Sequence, residues 1–154
     1  MWITRKTDYA TRAVLALAIH GRDTALALPE IAERIQVSAP YLEQIVAQLR
    51  GAGIVRSERG PKGGYRLNHP PEEITLERVV RIFQGPLAPI DCATRSMPAP
   101  CPMEVGCTLR SVWGEVRDAT IAILERTDFG TMASQAGGRW IGEVEEVPST
   151  RGHR

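Results

Sequence analysis

The stretch Ile31–Asn68, IAERIQVSAPYLEQIVAQLRGAGIVRSERGPKGGYRLN, decides the fold. It is entered through Leu28 and Pro29. Proline suits the first turn of a helix, where its missing N–H would have no partner in any case. Ile31, Ala32 and Ile35 make a short apolar face, which Gln36 and Val37 interrupt. Ser38 is an N-cap residue type, and Pro40 stands just inside the next helix. The spacing predicts a helix over 39–51 with Leu42, Ile45, Val46 and Leu49 inward. Tyr41, Glu43, Gln44, Ala47, Gln48 and Arg50 are left outward, and Gly51 and Gly53 close the helix. Two short helices joined by a tight turn, the second polar on its outer face, form a helix-turn-helix pattern.

An ordinary helical hairpin shares that pattern, and the next residues separate the two. Ile54 and Val55 start one strand, Tyr65 and Leu67 occupy another, and Gly60, Pro61, Gly63 and Gly64 make the turn between them. Arg56, Arg59, Lys62 and Arg66 decorate this hairpin. A basic hairpin directly after a helix-turn-helix is the wing of a winged helix. The wing is expected to lie against phosphates or a minor groove while the preceding helix enters the major groove.

Upstream, residues 5–20 read as a helix with Tyr9, Ala10, Ala13, Val14, Leu17 and Ala18 on one stripe, stopped at Gly21. Downstream, Pro70 and Pro71 mark a boundary, and Thr75 is placed to cap a short helix over Leu76–Phe83. A loop containing proline, glycine and cysteine spans 85–107. A long helix follows over 109–126, striped by Leu109, Val112, Trp113, Val116, Thr120, Ile123 and Leu124, with Ile121 widening the stripe. It has no evident helical partner in its own half of the chain. Burial by a second subunit is therefore preferred over folding back, and a two-fold homodimer suits a palindromic duplex site.

The expected organisation is a winged helix-turn-helix DNA-binding domain over 1–70. A linker helix, cysteine loop and dimerisation helix follow over 71–135, and a disordered tail over 136–154. The fold class is mainly α with one small β-hairpin.

The charge balance agrees. The formal net charge is +1, but residues 1–70 carry ten Lys/Arg against six Asp/Glu, and residues 71–154 carry nine against twelve. Arg50 to Arg66 holds five basic residues and one acid, Glu58. That is the local footprint of a polyanion-binding surface, although a solvated charged face has the same composition. The opening MWITRKTDYATRAVLALAIHG begins basic and turns apolar, but Asp8 and Arg12 interrupt it and no small-residue cleavage site follows. No window reaches transmembrane length, so the expected location is the cytoplasm with no membrane partner. GPKGG lacks the phosphate-loop spacing, and His20, His69 and His153 are scattered. No paired carboxylates or nucleophile–histidine arrangement appears, so an enzyme is not expected.

All three cysteines, Cys92, Cys101 and Cys107, lie within one stretch of sixteen residues. An odd count argues against a disulfide framework. Three soft donors in a loop stiffened by Pro98, Pro100 and Pro102 suit a soft metal centre one ligand short of four. The loop has no tight C-x-x-C pair, which disfavours structural zinc, and a reversible disulfide switch remains open. An iron–sulfur cluster tolerates wide spacings, and the N-terminus of the 109–126 helix places a positive dipole end beside Cys107. The cluster ranks first. A thiol- or zinc-dependent interaction module without a cluster is the alternative.

TDYATRAVLALA at 7–18, the Ile31–Asn68 stretch, PPEEITLERVV at 70–80 and three cysteines before a long helix together resemble the Rrf-two family of bacterial transcription regulators, which includes IscR-like and NsrR-like iron–sulfur sensors. The likeness runs over about residues 1–127. The resemblance implies a dimeric winged-helix repressor or activator whose cysteine loop binds an iron–sulfur cluster that senses iron–sulfur status, nitric oxide or redox stress. It implies DNA contacts from Ser38, Tyr41, Glu43, Gln44 and Arg50 on the recognition helix, with Arg59 and Lys62 on the wing. Glu43 can only accept, for instance from a cytosine amino group. The IscR-like branch places a histidine three residues after the last cysteine, where this chain has Arg110. The NsrR-like branch uses an aspartate early in the first helix, donated across the dimer, and Asp8 matches it. The resemblance therefore favours Cys92, Cys101, Cys107 and Asp8 as ligands of a 4Fe-4S cluster, with 2Fe-2S still open. A helix-start acid that complements the dipole would also explain Asp8.

Overall fold

The computed structural model describes residues 3–21, 23–96 and 98–139. Helix α1, Arg5–His20, starts where the Thr4 side chain accepts from the Thr7 backbone N–H, and it ends at Gly21, whose N–H donates to the Leu17 carbonyl. Ala10, Ala13, Val14, Leu17 and Ala18 recur at three- and four-residue spacing and are buried. Tyr9 is half-buried at the edge of that stripe.

Helices α2, Leu28–Arg34, and α3, Ala39–Gly51, follow, each with a proline in its first turn. Between them Gln36 adopts a left-handed backbone at φ 54°, which turns the chain sharply enough to bring α3 across α2. The four inward residues of α3, Leu42, Ile45, Val46 and Leu49, are all buried. Strands β1, Val55–Glu58, and β2, Gly64–Leu67, pair antiparallel with Val55 opposite Leu67 and Glu58 opposite Gly64.

Residues beyond 70 complete the same core. After a 3-10 turn at Pro71–Glu73, helix α4, Leu76–Gln84, is capped by the Thr75 side chain accepting from Arg78 N–H. Val79 and Ile74 join Val14, Leu17 and Ile45 in one buried cluster. Helix α5 runs over Thr108–Glu125. It is followed by a short helix α6, Phe129–Gln135, which the sequence pattern left unassigned. Asp128 caps α6 by accepting from Thr131 N–H, and Phe129 is among the largest fully buried side chains. Leu76 N–H donates to Thr127 carbonyl at 2.8 Å, and Phe129 N–H to Ile74 carbonyl at 3.0 Å. That pair of bonds ties the end of α5 to the start of α4, and α6 lies on α1.

Helix α5 differs from expectation in one respect. It has a partner in its own chain, α4, along one narrow edge, where Ile121 is buried with Val80 and Leu87. Leu124 packs partly against that cluster and Trp113 is half-buried, while four residues of the stripe are exposed: Leu109 is 62% exposed, Val112 51%, Val116 41% and Ile123 51%. Of the disordered tail expected over 136–154, residues 136–139 instead continue from α6 as turns, with Ala136 N–H donating to the Met132 carbonyl and Arg139 N–H to that of Ala136. Residues 140–154, with Trp140 and Ile141, lie outside the described residues.

Candidate nucleic-acid interface and thiol loop

The outer face of α3 is largely polar because its large aliphatic residues, Leu42, Ile45, Val46 and Leu49, are all used inward. Glu43, Gln44, Ala47, Gln48 and Arg50 are exposed along it. Ser38 occupies the N-cap position with extended backbone at φ −68° and ψ 139°, but its hydroxyl makes no cap bond. Its carbonyl instead accepts from Leu42 N–H at 3.0 Å. The hydroxyl is thus uncommitted to the helix end, and the uncapped first turn of α3 presents backbone N–H groups of the kind that bind phosphate. Tyr41 is half-buried, its ring edge-on to Tyr9 of α1 with centroids 6.1 Å apart.

The wing is fixed to the body by a third strand-like segment. Tyr65 N–H donates to the Leu26 carbonyl at 2.8 Å, and Leu26 N–H to the Tyr65 carbonyl at 3.1 Å. Gly64 is required there, because a Cβ would lie 2.2 Å from the Leu26 oxygen. The wing's four-to-one charge excess is smaller in space than in sequence. Glu58 sits between Arg56 at 3.6 Å and Arg66 at 3.5 Å. Arg59 and Lys62, at the tip, are exposed. Arg50, in the last turn of α3, is exposed as well.

The cysteine loop leaves α4 at Gly85 and is held against α5 by one polar cluster. Cys92 lies in a 3-10 turn, Asp91–Ala93. The Arg117 guanidinium donates to the Ala93 carbonyl, bracing that turn. Arg117 also bonds Asp118 at 2.7 Å, and Arg95 from the loop reaches Asp118 at 2.9 Å. The hydrogen bond from Arg117 holds the Asp118 carboxyl below its ordinary range, and the same bond raises Arg117. Both groups stay charged at any pH near neutral. Sequence reading missed this pair, since its partners lie more than twenty residues away.

Cys107 occupies the N-cap position of α5 without capping it through its sulfur, and the first turn of α5 carries no acid. Its N–H donates to the Glu104 carbonyl, and Glu104 N–H to that of Cys101, so 101–107 is a pair of consecutive turns. Cys92 and Cys107 line one cleft of about 570 Å³ together with Thr94, Arg110, Ser111 and Arg117. Arg110, at the position where a histidine would be a ligand, is ion-paired with Glu104.

All three thiols are free and partly exposed. The donor set suits a soft metal or iron–sulfur centre by its chemistry. It is not gathered: among the described residues no three His, Cys, Asp or Glu side chains stand close enough to hold a metal ion. Asp8, on the first turn of α1, forms an i,i+4 pair with Arg12 at 3.0 Å.

A helix-turn-helix with an exposed polar reading face and a basic wing defines a DNA-binding regulator of transcription. The chain belongs to the Rrf2 (Rrf-two) family, whose model, described as an iron-dependent transcriptional regulator, matches residues 3–135. A rrf2-like putative helix-turn-helix regulator of Rhodobacter capsulatus is 41% identical over 120 residues, covering 74% of this chain and 80% of the relative. The structure of CymR, described as the global cysteine regulator of B. subtilis, superposes with a TM-score of 0.76 at 31% identity, covering 88% of this chain and 98% of that one. IscR of T. potens superposes with a TM-score of 0.72 at 31% identity over 88% of each chain. The family and these relatives are regulators rather than enzymes. Among the described residues no helix is long and apolar enough to cross a membrane.

Proposed function

We propose that this chain is a cytoplasmic, homodimeric regulator whose grip on a palindromic operator is set by an iron–sulfur cluster held by Cys92, Cys101 and Cys107. The observation that carries this reading is the confinement of every cysteine to a loop that opens at the end of α4 and closes on the first turn of α5. The exposed stripe of α5 supports the dimer, since a second copy covers Leu109, Val112, Val116 and Ile123 by two-fold packing. Cys92, Cys101 and Cys107 would hold the group, and Cys92 and Cys107 line one cleft. Asp8 donated across the dimer would be the fourth ligand. A 4Fe-4S group fits three thiolates and one carboxylate, and 2Fe-2S is the lesser form. The bound group contributes a centre that oxidants, nitric oxide or iron shortage destroy.

The chain's own residues do the rest. Ser38, Tyr41, Glu43, Gln44 and Arg50 read or position on the major groove, and Arg59 and Lys62 hold phosphate on the wing. Half-sites one helical turn apart are roughly 34–36 Å from centre to centre. A small rotation of the two α5 helices therefore misaligns one reading head. The expected coupling is roughly 5–150-fold in affinity.

A thiol switch without metal is the second reading. It is favoured by the likeness to a regulator described as a cysteine regulator and by the ungathered thiols. Anaerobic purification with iron, sulfide and visible absorption analysis decides between them. Brown, iron-containing protein that loses iron and DNA control in Cys101→Ala supports the cluster. Colourless protein with thiol-dependent control overturns it.

A further inference from the structure

The first turn of α1 and the last turn of α4 meet through a polar knot centred on Thr7 rather than through apolar contact alone. Thr7 is fully buried, the one buried polar side chain among the described residues. Its hydroxyl donates to Gln84 Oε1 at 2.9 Å, and Thr4 N–H donates to the same oxygen at 3.3 Å. With the Thr7 proton so committed, the Thr4 hydroxyl is the donor in the 2.8 Å contact between the two threonine oxygens. Thr7 N–H in turn donates to that Thr4 oxygen, closing the α1 cap. These bonds tie the cap of α1 to the last residue of α4 and favour one angle between the two helices.

Its location gives that angle a use. Gln84 is the last residue of α4. Gly85, at φ 72° and ψ −138°, turns the chain into the cysteine loop, and Leu87 anchors the loop root in the small core with Val80 and Ile121. On the other side, Thr7 lies two residues before Tyr9, whose ring abuts Tyr41 on the recognition helix. Lys6 sits over the Phe83 ring at 5.8 Å, so both neighbours of the knot also cross from α1 to α4.

The geometry points to Gln84 and Thr7 as positioning residues that transmit the state of the cysteine loop to α1 and thence to α3 within one subunit. This rests on the loop being the sensing element. It adds a route independent of any cross-dimer ligand. A loop that pulls on Gly85 shifts Gln84, and a shift of Gln84 breaks or slides the Thr7 bond. The N-terminal turn of α1 then moves with Tyr9.

The test uses the full chain after chelator treatment, with iodoacetamide as the perturbation, because every thiol of the protein lies in this loop. Backbone hydrogen exchange is read over residues 4–12 and 39–46 before and after alkylation. Wild type is expected to change exchange in both segments by about fivefold or more. Thr7→Val keeps the shape and removes the donor, and should hold the 39–46 change below about twofold. Thr7→Ser keeps the donor and should restore the wild-type response. A purely structural knot would lower the melting temperature of Thr7→Val while leaving the alkylation response intact. That result, or a wild type whose α3 ignores alkylation, overturns the proposal. Iron content and colour of the untreated protein report on the cluster separately, so loss of one reading does not disguise loss of the other.

Discussion

Tyr9 of α1 and Tyr41 of α3 meet edge to face, their ring planes at 85° and their centroids 6.1 Å apart. The recognition helix is thereby braced against the helix that carries Asp8. Such a pair contributes about 1 kcal/mol beyond the area it buries. Tyr41→Ala is expected to destabilise the fold by about 2 kcal/mol, below the cost for a fully buried aromatic. A double-mutant cycle with Tyr9→Ala should return a coupling near 1 kcal/mol. Additive unfolding energies in urea would show that the rings do not interact.

Glu58 lies between Arg56 and Arg66 on the wing and repels phosphate. Glu58→Gln should tighten binding to any duplex and steepen its salt dependence. A dimer touching about eight phosphates should show a log–log salt slope near −7. Arg59→Ala or Lys62→Ala should each flatten the slope by about 1 for every phosphate left without its cation. Fluorescence anisotropy titrations from low to moderate salt measure both effects.

The exposed α5 stripe is expected to be a subunit interface. Val112→Asp with Val116→Asp changes two solvent-facing positions, so the monomer should keep its helix content. Sedimentation equilibrium should then report a monomer. Operator affinity should fall by about 100-fold or more as two-headed binding is lost. A double variant that still sediments as a dimer removes the α5 interface.

Gln36 holds a left-handed backbone without being glycine. That conformation costs an L-residue roughly 1–2 kcal/mol, part of which glycine gives back through its freer unfolded chain. Gln36→Gly should stabilise by about 0.5 kcal/mol and Gln36→Val should destabilise by about 1 kcal/mol. Denaturant midpoints at unchanged slope would record both signs.

Asp128 accepts from the backbone N–H and hydroxyl of Thr131, and the backbone bond is the main cause that holds its carboxyl below the ordinary aspartate range. A depressed folded value means the cap stabilises above the unfolded pKa. That contribution is lost as pH falls through the folded value. Asp128→Ala should cost about 1 kcal/mol at neutral pH. The gap between variant and wild type should narrow on acidification. Thermal melts from pH 7 down to pH 3 test the direction, and a gap that widens toward acid contradicts it.

The elements of the reading head were legible in the sequence because their signals are local. Pro29 and Pro40 open α2 and α3, the three- and four-residue spacing of Leu42, Ile45, Val46 and Leu49 sets the buried face of α3, and glycines turn the wing. Each of these is a property of residues within one or two turns of one another. The exposed stripe of α5 was visible for the same reason.

What only the tertiary structure decided were relations across long stretches of chain. Phe129 fills the core beside α1 although its helix is seven residues long and carries little pattern of its own. Ile121, one residue off the main α5 stripe, is the one that α4 covers. Glu58 cancels part of the wing charge, Arg117 braces the loop at Ala93, and Gln84 reaches Thr7 across 77 positions. Helical periodicity and turn chemistry are written in neighbouring residues. The pairing of polar groups distant in the chain depends on how the helices pack, and that arrangement is set by the whole core at once.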